Sequence, residues 1–357
     1  MHIPDGYLSP QTYGPAYAVM AAIWAIASSR LKKTLRARHV PLLALGACFT
    51  FAVMMFNVPM FGTTGHAVGA VLVAVLLGPW AAVVAVSLAL IVQALIFGDG
   101  GVTAIGANCI NMAVIMPFVG WGIYRLVAGS APSNSRRHWI GAAVGGYVGL
   151  NLAAIGTALM FGIQPLIART PDGRPLYAPF GIEIAVPVMA AEHLLFFGFV
   201  EAVVTGLVVA YLQRVEPSLI AAREGPVGHP GRRVFVRKMA VALAVLVLLS
   251  PLGLYLPAKF AAGTAWGEWS AEELRAIAGF VPQNLDRVSR LWSAPMPDYA
   301  LPGQESGPLS SLALSYILSG ALGLAVVAAV ALAARKLLAR KDPDENSAAV
   351  DAPADND

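Results

Sequence analysis

The sequence predicts an all-α polytopic membrane protein: a bundle of about seven helices, then a C-terminal two-helix unit with an extracytoplasmic segment. Three observations predict it. Hydrophobic residues make up 57% of the 357 positions and charged residues only 12%, about half the charged share of soluble domains. The apolar residues form runs close to the roughly 20 residues that a helix needs to cross a bilayer. The basic residues are gathered into a few segments between those runs.

Runs suited to spanning lie near 13–29, 40–56, 66–79, 80–97, 102–127, 140–163, 184–213, 234–256 and 310–334. Gly78-Pro79-Trp80, between the third and fourth, is either a tight turn or a kink. Loop charge orients such a chain, with Lys and Arg retained on the cytoplasmic side. Five Lys/Arg lie in 30–38, three in 125–137, six in 214–238 and four from 335 onward. With nine spans all four segments share one side, leaving Arg169, Arg174, Lys259, Arg275, Arg287 and Arg290 on the other. The N-terminus is therefore expected outside and the C-terminus inside. The net charge of +4 sits in loops beside the spans, which suits a lipid bilayer and argues against a nucleic-acid partner.

The domain boundaries follow from composition. Residues 1–213 read as one membrane domain. Residues 214–233 read as a basic cytoplasmic linker, with Pro217, Gly225, Pro226, Gly228, Pro230 and Gly231 among arginines. Residues 234–334 hold two spans around an external segment, 257–309. In that segment Ser270-Ala271-Glu272-Glu273 has the spacing of a capping box and Gly279 is a plausible stop. The tail 335–357 is expected to be cytoplasmic, and from Asp342 it is acidic, alanine-rich and expected to be disordered.

The first two residues carry chemistry of their own. A free amine at Met1, the His2 backbone nitrogen and the His2 ring Nδ1 can close two adjacent chelate rings on one ion. Three nitrogens in a plane, with a fourth position open, suit Ni²⁺ or Cu²⁺ better than Mg²⁺ or Ca²⁺. The first ten residues lack the basic region and cleavage site of a signal peptide, so the N-terminus is expected to survive. The charge count places the loop 57–66 on the same external face, which makes His66 the candidate fourth ligand. Metal-bound histidines usually donate their other ring N–H to an oxygen. Asn57, Asp99, Asn108 and Asn111 are candidates for that supporting role, and helix–helix hydrogen bonding competes as an explanation for each.

Other polar residues are less directed. Glu192, His193 and Glu201 fall inside a span, where ionisable groups mark function or packing. His39, His138 and His229 lie in basic loops and are expected to be solvated. Cys48 and Cys109 sit in apolar runs and form no CxxC motif, so buried thiols are expected rather than a thiolate site. No GxxxxGK[ST] loop occurs, so any ATP hydrolysis through that motif belongs to another polypeptide.

With these residues in view, the chain resembles the CbiM/NikM family. These are the substrate-binding membrane components of energy-coupling factor transporters for cobalt and nickel. The resemblance rests on MHIPDGYLSP at the start, on GTTGHAVG from Gly62 to Gly69 and on FGDGGVTAIGANCINM from Phe97 to Met112. It covers residues 1 to about 213. Residues 234–334 are similar to the small CbiN/NikN or PDGLE-type component, with Pro297-Asp298-Tyr299-Ala300 where that component has Pro-Asp-Gly-Leu. The resemblance implies a fused protein that captures Ni²⁺, or Co²⁺ for cobalamin biosynthesis, as cargo, with no cofactor and no enzymatic activity of its own. The implied ligands are the Met1 amine, the His2 backbone and ring nitrogens and the His66 ring. The implied partners are a CbiQ/NikQ-like transmembrane component and a pair of CbiO/NikO-like ATPases, at the plasma membrane of a prokaryote. Two other classes compete. An ion-coupled secondary carrier would use Glu192, His193 and Glu201. A membrane metal sensor or enzyme would need a catalytic or signalling unit that the sequence does not display.

Overall fold

The computed structural model describes residues 1–35, 39–60, 62–221, 232–259, 265, 269–304 and 307–338. The linker between 222 and 231, with His229, and the tail from 339 lie outside the described residues. Helix α1 (Pro10–Thr34) opens on a proline, whose missing N–H would have no helical partner at that position anyway. Lys32 and Lys33 close it, where the helix dipole favours cations. Helix α2 (Val40–Met54) leads into an antiparallel hairpin of β1 (Val58–Met60) and β2 (Thr63–Gly65). Then come α3 (Ala70–Leu77), α4 (Pro79–Phe97), α5 (Ile105–Ala128), α6 (Arg137–Ile167) and α7 (Ile182–Val215). The C-terminal unit consists of α8 (Val236–Lys259), the short helices α9 (Ala271–Ala278) and α10 (Gln283–Ser289), and α11 (Leu309–Ala333).

Six of these helices, α4 to α8 and α11, are long and apolar enough to cross a bilayer among the described residues. Three expected spans differ. Helix α1 has 25 residues, but Gln11, Thr12 and Gly14 at one end and Arg30, Lys32 and Lys33 at the other dilute its hydropathy. Helix α2 has only 15 residues. The run 66–79 is not a span: residues 66–69 are non-helical and α3 has eight residues, about 12 Å of helix against a hydrocarbon core of about 30 Å. Gly78 settles the turn-or-kink alternative. It has φ 88° between two helices that pack on each other, which makes a tight helical turn.

The bundle core forms where α5 packs on α6 and α6 on α7. The C-terminal unit is built into the same body, because α11 and α8 both pack along α2. The capping box expected in the external segment is present. Ser270 accepts from the Glu273 N–H while the Glu273 carboxylate accepts from the Ser270 N–H, and Gly279 closes α9 in the left-handed conformation. Cys48 and Cys109 are both free and buried. His138 is not solvated as expected. It is 5% exposed, with Nδ1 2.8 Å from the Tyr124 hydroxyl and Nε2 3.1 Å from the Ala131 carbonyl. Its loop folds back onto α5, which replaces water at both nitrogens.

Candidate metal centre

The first nine residues form no helix or strand, yet they are threaded into the protein. Met1 and Ile3 are fully buried and His2 is 5% exposed. A non-helical segment can be buried only if its backbone groups find partners, and the bundle supplies them. The Asn108 amide pairs with both backbone groups of Ile3, accepting from its N–H at 2.9 Å and donating to its carbonyl at 3.1 Å. Gly101 N–H also donates to the Ile3 carbonyl at 2.8 Å. A Cβ on Gly101 would stand 2.3 Å from the Asp5 nitrogen, so only glycine permits this approach. Asp5 accepts from the N–H groups of Val102 at 2.9 Å and Thr103 at 2.8 Å.

This threading sets His2 against His66. The two rings stack with centroids 4.7 Å apart. His66 is fully buried, and its Nδ1 lies 3.1 Å from the Ala67 carbonyl. A carbonyl only accepts, so in that contact Nδ1 carries the proton and Nε2 keeps a lone pair. His66 Nε2 and both ring nitrogens of His2 have no hydrogen-bond partner. Buried polar atoms without partners are rare and need an explanation. The Met1 amine donates to the Thr64 carbonyl and to Thr64 Oγ1, the latter at 3.1 Å. Strand β2 therefore carries the amine's partner two residues before His66. Among the described residues, no three His, Cys, Asp or Glu side chains group as metal ligands do, so an ion at this place would need backbone nitrogens as well.

Asp99 closes the arrangement. Its Oδ1 is 3.0 Å from His2 Nδ1. Its Oδ2 accepts from the Tyr299 hydroxyl at 2.7 Å and from Gln93 Nε2 at 3.3 Å. Burial by itself would raise the Asp99 carboxyl. The His2 ring and the Tyr299 hydroxyl outweigh it and hold the group well below the usual carboxylate range.

The other candidates part company with the histidines. Asn111 donates to Met160 Sδ at 3.5 Å on the neighbouring helix. Its expected face-sharing with Asn108 is undone by the π-turn Cys109–Ile115, which widens the helical turn. Asn57 lies against Gly253 of the C-terminal unit and makes no hydrogen bond to either histidine among the described residues. Glu201 accepts from Val68 N–H at 2.8 Å, from Gly69 N–H at 3.1 and 3.2 Å and from the Thr205 hydroxyl at 3.0 Å. It thus holds the segment between His66 and α3. His193 donates to the Met189 carbonyl at 2.9 Å, and Glu192 Oε2 lies 3.8 Å from His193 Nδ1, both side chains fully buried. Gln93, Asp5, Thr64 and Tyr299 escape the sequence reading. Only Asp5, between a proline and a glycine, carried a local signal, that of a turn anchor.

The family model described as the cobalt uptake substrate-specific transmembrane region, CbiM, matches residues 2–219, well over half of the chain. The chain belongs to the CbiM family. A PDGLE domain model matches residues 232–340, so the protein joins a CbiM unit to a PDGLE unit. It is 45% identical over 345 residues to the fused nickel transport protein NikMN of Rhodobacter capsulatus, covering 92% of this chain and 95% of the relative. It is 43% identical over 328 residues to the probable fused nickel transport protein LarMN of Lactiplantibacillus plantarum, covering 89% and 93%. A cobalt transport protein CbiM of Geobacter sulfurreducens is 30% identical over 294 residues, 80% of each chain. The crystal structure of a truncated transition metal transporter, 51% identical, superposes with a TM-score of 0.58 over 60% of this chain and 99% of that one. The paired histidines lie within the CbiM unit, and Tyr299 of the PDGLE unit reaches Asp99 beside His2.

Proposed function

We propose that the protein is the substrate-capture component of an ATP-driven energy-coupling factor importer for Ni²⁺, with Co²⁺ as the second candidate. The observation that carries this reading is the buried stack of His2 on His66, with His66 Nε2 and His2 Nε2 lacking hydrogen-bond partners and His2 Nδ1 met only by Asp99, beside the Met1 amine. The Met1 amine, the His2 backbone nitrogen, His2 Nδ1 and His66 Nε2 would hold the ion as cargo. Nitrogen donors suit both metals, and the fused relatives named for nickel favour that ion. The His66 Nδ1 contact to the Ala67 carbonyl is the outer partner that a metal-bound imidazole needs.

Capture takes place on the external face, from which an importer draws its cargo. The loops Gly62–Gly65 and Gly98–Gly101 close over the ion. An amine has an ordinary pKa of about 7.7–8.0, and binding displaces its proton and the His2 amide proton, so affinity falls with acidification. A transmembrane component and two ATPases then drive release inward. Calorimetric titration with Ni²⁺ tests the ligand set. Protein with an acetylated or one-residue-extended N-terminus is expected to lose binding, and unchanged affinity would overturn the chelate.

A further inference from the structure

Asp99 follows the π-turn Gln93–Phe97 that ends α4, and a helix end leaves its last carbonyls without helical partners. The C-terminal unit supplies partners here. Trp292 Nε1 donates to the Leu95 carbonyl at 3.0 Å, and Met296 N–H donates to the Ile96 carbonyl at 3.0 Å. The chain then turns through Asp298 and Tyr299, whose φ angles are 51° and 60°. A left-handed conformation at a bulky residue is an outlier that its surroundings must enforce, and such outliers cluster where function requires a fixed side chain. Ser319 Oγ on α11 donates to the Tyr299 carbonyl at 2.7 Å. The Tyr299 ring stacks on Phe97 with centroids 4.8 Å apart and is 4% exposed. Its hydroxyl accepts from Gln93 Nε2 at 2.9 Å and donates to Asp99 Oδ2 at 2.7 Å.

One carboxylate therefore links Tyr299 to His2. Asp99 Oδ2 is pinned by Tyr299 and Gln93, and Oδ1 faces His2 Nδ1. A carboxylate held at one oxygen has lost its freedom to rotate, so the direction of the other is set. We infer that Tyr299 of the C-terminal unit is a positioning residue for metal capture, acting through Asp99 to hold the His2 ring against His66 until the ion takes Nδ1. The inference rests on His2 being a ligand. It gives the PDGLE unit a defined role, which is to complete the support of a site whose ligands all come from the CbiM unit.

The test is a double-mutant cycle on the full-length purified protein, with Tyr299→Phe, Asp99→Asn and the pair. Ni²⁺ affinity is measured by calorimetry, the visible absorption of the bound ion is recorded, and thermal unfolding checks the fold. Asp99 faces the nitrogen that the ion would take, so it acts on the preorganisation of the empty site, and Tyr299→Phe is expected to weaken Ni²⁺ binding about tenfold with a shifted absorption band. On the Asp99→Asn background the same change is expected to do nothing further. Wild-type affinity and spectrum in Tyr299→Phe, or an effect that adds fully to Asp99→Asn, would overturn the inference. If Tyr299→Phe does not fold, Ser319→Ala, which releases the Tyr299 carbonyl, takes its place and must show the same dependence on Asp99. Protein with a blocked N-terminus separates the two readings. Binding that survives the block defeats the chelate itself, whereas binding lost on blocking but indifferent to Tyr299 defeats only the positioning role.

Discussion

Two stretches from opposite ends of the chain meet at the stacked histidines, and they are held in different ways. The N-terminal segment is buried and its backbone is hydrogen-bonded by Asn108 and Gly101, while its Asp5 side chain holds the 102–103 turn. The segment between the two C-terminal spans touches the same place at a few points, Trp292, Met296 and Tyr299, while much of α9 and α10 stays exposed. A segment with no regular structure needs a partner for each buried backbone group. A segment built of short helices satisfies most of its own. The first is thus suited to carry ligands, whose positions must not drift, and the second to adjust them.

Changes on the N-terminal side should be the most severe. One residue added before Met1 moves the amine and is expected to abolish Ni²⁺ binding. Asn108→Leu keeps the branched shape but strips Ile3 of the Asn108 side-chain bonds. Each buried group left unsatisfied costs about 1–3 kcal/mol, so a clear drop in thermal stability and a smaller stabilisation by added Ni²⁺ are expected. An unchanged melting curve would show that the segment is not held through Asn108.

Glu201→Gln comes next. The carboxylate accepts from Val68, Gly69 and Thr205. An amide has one acceptor oxygen, and charge-assisted bonds are worth about 1.5–3 kcal/mol. Lower stability with weaker metal binding is expected, since the segment after His66 loosens. A carrier mechanism instead predicts lost transport with metal binding intact.

Acidification gives a smaller effect. The Asp99 carboxyl is held below its usual range, so its contribution to stability is complete above about pH 3.9 and fades as pH falls towards the folded value. Asp99→Asn should flatten the acid limb of a stability profile, and an unchanged limb would remove Asp99 from the account. Asp286→Ala sets the floor. Its i,i+4 pair with Arg290 is exposed, and such pairs are worth about 1 kcal/mol or less, so metal binding should not change.

Much of the site could be read from residue order and charge. The sequence singles out His2 and His66 as paired ligands, and their rings are stacked, although the count of nine spans that puts both on one face includes 66–79, where α3 has only eight residues. Asp99, flanked by glycines, does reach His2. Asn108 and Asn111 looked equivalent, and a π-turn that no local pattern announces separates them. The run 66–79 has the composition of a span, but residues 66–69 are non-helical, and Glu201, 132 residues away from Gly69, accepts from the Val68 and Gly69 N–H groups just before α3. Tyr299 was unreadable as a partner of Asp99 because the pair is 200 residues apart in sequence.

By itself the sequence determined the membrane class, the division into two units and a dipeptide able to chelate. All three depend on composition and covalent order, which need no partner to be expressed. The tertiary structure decided which polar residues face the histidines, that the N-terminal segment is buried rather than solvated, and that Tyr299 of the second unit meets the carboxylate beside His2. Those outcomes depend on hydrogen bonds between groups far apart in the chain, and only packing brings such groups within 3 Å of each other.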